Sequence, residues 1–355
     1  MNPVGSDQSA PPVARRGRRW LGHALRWVIG VGAALVAFNA LFGRRDELAG
    51  ALTTLEQIRY QWVFFAVVAE LASIGAYAAL TRQLLRAGGV DIGLADLSGI
   101  TLAANAIQNS LPAGPAWSTV YAYRQFRRRG ADAVLVGWTL AISVLIAVAT
   151  LGAIALVGLV VSENQAASLD LVRVILAVVL AIVLLVVAAR RGLVSLPGRR
   201  AAVFIVAACQ RVVHRPRGKP AELVRGVFDR LRAVHLTKRR LAAAVAWSLA
   251  NWWLDLTALA LSFAAVGSLV PWRGLLLAYG AGQLAANLPV TLGGLGVVEG
   301  SLTIALVFYG GDQEATVAAV LLYRIISFWM MLAIGWTAAL VIRLRTTQRE
   351  GATAP

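Results

Sequence analysis

The stretch Asn287-Leu288-Pro289-Val290-Thr291-Leu292-Gly293-Gly294 interrupts an apolar segment covering residues 272–310, and Leu295-Gly296-Val297-Val298-Glu299-Gly300 follows it. Proline removes a backbone donor and glycine loosens a helix, so the interruption frees backbone polar groups. At membrane depth such backbone persists only when buried in protein or facing a wet cavity. The segment therefore reads as a helix–break–helix hairpin rather than a lipid-facing span. Residues 92–129 repeat the pattern around Leu111-Pro112-Ala113-Gly114-Pro115, and they carry Asp96, Asn105, Gln108, Asn109 and Ser110. Leu102-Ala103-Ala104-Asn105 echoes Leu284-Ala285-Ala286-Asn287, each followed by Leu-Pro and glycine, at spacings that differ by five residues.

Outward from the two breaks, uninterrupted apolar runs cover about 61–81, 133–161, 171–189, 241–266 and 316–342. Each approaches or exceeds the ~20 residues that cross a hydrocarbon core. A further run, Ala24 to Phe42, is read as a retained first span rather than a secretory signal. Its preceding region is long and no small-x-small cleavage site follows it. Composition agrees. Of 355 residues 59% are hydrophobic and 14% charged, whereas a soluble domain carries roughly a quarter charged residues. A soluble enzyme, a secreted disulfide scaffold and a disordered tail protein are excluded. Cys209 alone forms no internal disulfide, and His23, His214 and His235 are too few for a histidine metal site, so neither metal nor cofactor is expected.

The 34 basic against 17 acidic residues give a net charge of +17. In a membrane protein this excess labels the cytoplasmic side and meets anionic headgroups of the inner leaflet; nucleic acid is not expected as a partner. The arm 1–19, with Arg15, Arg16, Arg18 and Arg19, is expected inside and disordered. Arg82 and Arg86 put the end of span 61–81 inside, and Arg124, Arg127, Arg128 and Arg129 do the same for the end of the first hairpin. Residues 190–240 hold 14 Lys/Arg against Glu222 and Asp229, hence inside. Arg343, Arg345 and Arg349 place the C-terminus inside. The segments 43–60 and 162–170, and Gly310-Gly311-Asp312-Gln313-Glu314, suit the outside.

The sum is an all-α polytopic membrane protein with about six full transmembrane helices plus two re-entrant helical hairpins. Repeat 1 spans about 61–161 and repeat 2 about 241–342. The first hairpin enters from inside and the second from outside, which is an inverted-topology repeat. The membrane domain covers 20–345, a cytoplasmic basic linker 190–240, and a cytoplasmic tail 346–355. In the linker, Leu223, Val224, Val227, Phe228, Leu231 and Val234 recur at helical spacing beside Arg225, Arg230 and Arg232. This describes an amphipathic helix on the inner leaflet or one packed on the bundle. The expected location is the plasma membrane, with both termini cytoplasmic.

Ionisable residues within spans cost roughly 2.5–3.5 kcal/mol each on insertion scales, so Glu70, Asp255, Glu299 and Arg324 are singled out. Arg324 requires an acceptor, and Glu299 is the nearest carboxylate at membrane depth. The pair is either a packing salt bridge or a headgroup site. Glu70 and Asp255 lie mid-span in matching elements of the two repeats and are coupling-ion candidates. For Asp255 a hydrogen bond to backbone, Trp252 or Trp253 is the alternative. The helix start after Gly293 and Gly294 suits an anion, while Gly296 and Gly300 also form a small-xxx-small packing pair. No HExxH, metal-cysteine pair, G-x-S-x-G or Walker loop is present.

Asn287 to Gly300, followed by Leu321-Leu322-Tyr323-Arg324 and an aromatic-rich span, resembles the lysylphosphatidylglycerol synthase transmembrane-region family, also called flippase-like. Residues 102–130 resemble that family's first conserved region, with Gly114-Pro115-Ala116-Trp117 where the family shows an acidic residue after its glycine. The resemblance covers most of 50–345. It implies a lipid-translocating or lipid-handling membrane domain. Aminoacyl transfer is not expected, because synthase members carry a soluble catalytic domain after the membrane region and this chain ends at Pro355. Substrate contacts are expected from Arg124, Asn105, Asn109, Asn287, Gly293, Gly294, Glu299, Tyr323 and Arg324. The leading expectation is a protein moving or handling a phospholipid or lipid-linked amphiphile between leaflets. A proton-coupled small-solute transporter and a non-transporting scaffold for a lipid-modifying enzyme are the alternatives. Membrane lipids, such an enzyme or a second copy of the chain are the expected partners.

Overall fold

The computed structural model describes residues 58–111, 113–162, 236–286 and 292–352, which form helices with no strand among them. The expected first span, the span 171–189, the amphipathic segment 223–234 and Asn287 lie outside the described residues. In chain order the helices are α1 (Tyr60–Ala87), α2 (Leu94–Ser110), α3 (Gly114–Arg128), α4 (Ala133–Val161), α5 (Lys238–Ala265), α6 (Trp272–Ala286), α7 (Val297–Phe308), α8 (Gln313–Arg324) and α9 (Met331–Ala352). A 3₁₀ turn at Leu292–Gly294 precedes α7, and a π-helical segment at Ile325–Met330 joins α8 to α9.

Among the described residues, three helices are long and apolar enough to cross a membrane: α1, α4 and the continuous helix Gln313–Thr346. Helix α5 has 28 residues, about 42 Å at 1.5 Å per residue. Its Asn251, Trp252, Trp253 and Asp255 make it less apolar than those three. Local chemistry sets the helix starts. Asp132 Oδ1 accepts from the Val134 and Leu135 amides at 3.0 and 2.9 Å, Thr237 Oγ1 accepts from the Arg240 amide, and Asp312 Oδ1 from the Ala315 amide. Each satisfies a donor that helix geometry leaves free.

Both interrupted segments are helical hairpins. In the first, Ala113 adopts the left-handed region (φ 56°) and Pro115 sits in the first turn of α3. Ser118 Oγ donates to Gln108 Oε1 at 3.2 Å, and Gly114 lies against the Gln108 carbonyl with no room for a Cβ. In the second, the start of α6 meets the end of α7 where Gly274 lies against the Tyr309 ring.

Helices α1 and α5 pack antiparallel along their lengths. The Arg59 amide donates to the Ala265 carbonyl at 2.9 Å, and at the other end Arg240 Nη1 donates to the Arg86 carbonyl at 2.9 Å. Around this pair the contacts repeat with the halves exchanged: α4 packs on α6, and α9 packs on α2. Among the described residues, Arg86, Arg240 and the ends of α3 and α9 gather at one end. Arg86 meets Arg240 there; Ile92, Phe126 and Leu135 share a core cluster with Leu85, and Ile342 packs on it, bringing Arg343 and Arg345 to the same end. Also at this end, Asp91 bonds Arg86 at 2.7 and 2.9 Å and Arg82 at 3.0 Å. These guanidinium contacts lower the Asp91 pKa to about 2, so the clamp between α1 and α2 stays ionised through the physiological range.

Candidate functional site

Glycine geometry builds the first half of the site. Gly293, Gly294 and Gly296 have φ values of 59°, 71° and 80°, a region that favours glycine because a Cβ there is strained. Gly293 also abuts the Phe328 ring and the Asn109 Cβ, so the break of the second hairpin touches the tip of the first. The turn aims the Gly296 amide at Glu299 Oε2, 2.6 Å away. Glu299 is the third residue of α7, so its carboxylate also faces the positive helix end. The N-terminus expected to be open to an anion is therefore occupied by the chain's own carboxylate. Gly300 faces open space, so glycine here serves backbone conformation at Gly293, Gly294 and Gly296 rather than a tight contact at Gly300.

Arg324 supplies the opposite charge. Its Nε donates to Glu299 Oε1 at 2.6 Å, its Nη2 donates to the Gly293 carbonyl at 3.2 Å, and its Cζ lies 4.6 Å over the Phe328 ring. The side chains are only 10% and 8% exposed for Arg324 and Glu299. The expected ion pair is present, and each charge has a second polar partner. Arg324 ends α8 where the π-helical segment begins, an irregularity that often marks functional positions.

A second buried cluster begins one residue earlier. Tyr323 Oη donates to Asp255 Oδ1 at 2.8 Å, while Tyr279 Oη and Gln283 Nε2 donate to Oδ2 at 2.7 and 2.9 Å. Gln283 Nε2 also donates to Tyr323 Oη at 3.2 Å. The antiparallel register of α1 and α5, fixed by the Arg59–Ala265 and Arg240–Arg86 contacts, sets the buried Glu70 carboxyl of α1 opposite Asp255. Trp252, by contrast, donates to the Ala147 carbonyl and Thr150 Oγ1, so the indole is not the partner of Asp255.

Of the residues singled out in sequence, Gly293, Glu299 and Arg324 form one cluster, with Asn109 against Gly293. Asn109 Nδ2 donates to Asn105 Oδ1 at 2.7 Å. Gly294 packs beside Ala286 and Val298. Tyr323 belongs with Glu70 and Asp255. Arg124 is exposed on α3 and makes no hydrogen bond to Glu299 or Arg324 among the described residues. Tyr279 and Gln283 were not singled out. Their four-residue spacing, which places them on one helix face, was the available signal.

An apolar helical domain with two broken hairpins meeting at a buried ion pair is a membrane domain with its polar chemistry held inside. The chain matches the model of the lysylphosphatidylglycerol synthase TM region over residues 26–335 and belongs to that family. No curated protein matches the chain.

Proposed function

We propose that this is a flippase-like multi-pass domain that moves or handles a phospholipid or lipid-linked amphiphile between leaflets. The observation that carries the reading is the meeting of both hairpin breaks at Arg324–Glu299. Irregular backbone and a buried cation–anion pair are expensive at membrane depth, and transporters place both at their substrate site. A headgroup with a phosphate and an ammonium would exchange partners with this pair, phosphate to Arg324 and ammonium to Glu299, without leaving a charge unmatched. The low exposure of the pair requires an opening motion, and the π-helical segment after Arg324 is the place for it.

The exchanged pairing of α4 with α6 and α9 with α2 supports the inverted-topology repeat, with two re-entrant hairpins. The gathering of basic residues at one end supports that end as cytoplasmic. After Cys209→Ser, Arg128→Cys is expected to label only from inside and Glu314→Cys only from outside. Labelling of both from one face sinks the arrangement.

The functional test is reconstitution in liposomes with fluorescent anionic, zwitterionic and aminoacylated phospholipids. At least one is expected to exchange leaflets several-fold faster than in protein-free vesicles, and Arg324→Gln is expected to abolish the gain. Solute uptake without lipid exchange selects the small-solute transporter. Neither activity selects the scaffold for a lipid-modifying enzyme.

A further inference from the structure

The Glu70–Asp255 contact is not accounted for by the ion pair that binds the proposed headgroup. Both residues are buried, at 5% and 8% exposure. Asp255 accepts from two tyrosines and a glutamine, so both of its oxygens have neutral donors. Among the described residues Glu70 Oε2 is buried and has no donor, and the register of α1 on α5 sets its carboxyl opposite Asp255, another acceptor. Two ionised carboxylates in this position repel each other, whereas one proton between them turns the contact into a hydrogen bond. Arg324 is within electrostatic reach of Asp255, but its Nε and Nη2 are held by Glu299 and Gly293. The other facing groups are Tyr279 and Tyr323. Helix α4 and the π-helical segment, which also pack here, contain no titratable residue, and Asp96 of α2 is exposed at that helix's first turn.

A line of buried polar side chains leads from this pair toward the basic end. One turn away, the Asn251 side-chain amide donates to the Ser73 carbonyl at 3.1 Å, joining α5 to α1. Next, Thr150 Oγ1 and Ser248 Oγ lie 2.7 Å apart, joining α4 to α5. Ser143 and Thr139 continue the same face of α4, and their buried hydroxyls have no partner among the described residues. Unpartnered hydroxyls inside an apolar helix are costly unless they serve a polar occupant.

We propose that Glu70 and Asp255 together hold one exchangeable proton, reached from the basic end along the hydroxyl line of α4 and α5. The proton resides on Glu70, because Asp255 already accepts three hydrogen bonds. Its departure leaves two adjacent carboxylates that compete with Glu299 for Arg324, and Tyr323, bonded to Asp255 and adjacent to Arg324 in the chain, ties the two clusters mechanically. The inference rests on α1 and α5 spanning the membrane, as proposed above, and not on the identity of the cargo.

Infrared spectroscopy on the full chain in liposomes at neutral pH tests it. The expected result is a protonated-carboxyl carbonyl band that shifts when glutamate carboxyls are isotopically labelled and vanishes in Glu70→Gln. The side-chain amide introduced by that substitution can still donate to Asp255, so a melting temperature close to that of the unmutated chain is expected. Should that variant not fold, the isotope shift in the unmutated chain decides alone. Ser143→Ala combined with Thr139→Val is expected to keep the band and slow its hydrogen–deuterium exchange several-fold. Absence of the band, a band that ignores glutamate labelling, or sodium-dependent stabilisation in its place overturns the proton site. Unchanged exchange overturns the path. The band does not depend on lipid movement, so inactivity in the flippase assay leaves this result intact.

Discussion

Arg324→Gln is expected to destabilise the protein by about 3–5 kcal/mol, because it strands the Glu299 carboxylate in a dry site. Glu299→Gln is expected to cost a similar amount by stranding the guanidinium. The geometry gives this prediction its size: the 2.6 Å contact is buried at both partners, and the hydrogen bonds that remain to each charge are to backbone, the Gly296 amide or the Gly293 carbonyl. The double change to glutamine removes both charges and is expected to recover most of the stability, since neutral amides still bond the same backbone groups. Thermal melting of the three variants in detergent reads the coupling directly as a double-mutant cycle. Additive losses in the cycle mean that the residues do not support each other. A double variant that melts near the unmutated temperature but moves no lipid separates the pair's structural role from its role at the proposed site.

The ion pair was legible in sequence because an arginine at membrane depth has few ways to be tolerated. The chain supplied Glu299 within the hairpin preceding it, and the glycines around it announced a broken helix. The hairpins were legible for the same reason: Gly114 and the glycines from Gly293 to Gly296 stop helices that apolar neighbours would otherwise extend. What sequence could not give was the meeting of distant elements. Glu70 and Asp255 were singled out separately, as charges in matching spans, but their contact depends on α1 lying antiparallel to α5 in one register. The donors on Asp255 come from the first arm of the second hairpin and from α8, positions that no local periodicity connects. Tyr323 was assigned with Arg324 because the two are adjacent, yet successive helical positions point about 100° apart, and here they serve different clusters. The occupation of the α7 N-terminus by Glu299 was also hidden, since an open anion site and a self-capped turn share the same glycines.

Gly158→Leu and Gly335→Leu are expected to be the next most damaging changes, and to be damaging alike. A Cβ at Gly158 would stand 2.5 Å from the Leu277 amide nitrogen and 2.8 Å from the Leu276 carbonyl carbon. A Cβ at Gly335 would overlap the Leu102 carbonyl and lie 2.7 Å from the Ala106 Cβ. These obstacles are largely backbone atoms, so no rotamer change clears them and whole helices must separate. Overpacking typically costs about 1–3 kcal/mol, and occasionally more when backbone must move. Gly137→Leu, also on α4 but with open space beside it, is the matched control and is expected to be neutral or slightly stabilising, as glycine is a poor helix former. The two glycines occupy corresponding interfaces: the last helix of the first half on the second hairpin, and the last helix of the second half on the first. An inverted repeat therefore requires both substitutions to lower the melting temperature, with additive effects because the interfaces are separate. Tolerance of leucine at one position and collapse at the other would mean that the two interfaces are not equivalent, and the architecture would then rest on sequence echo alone.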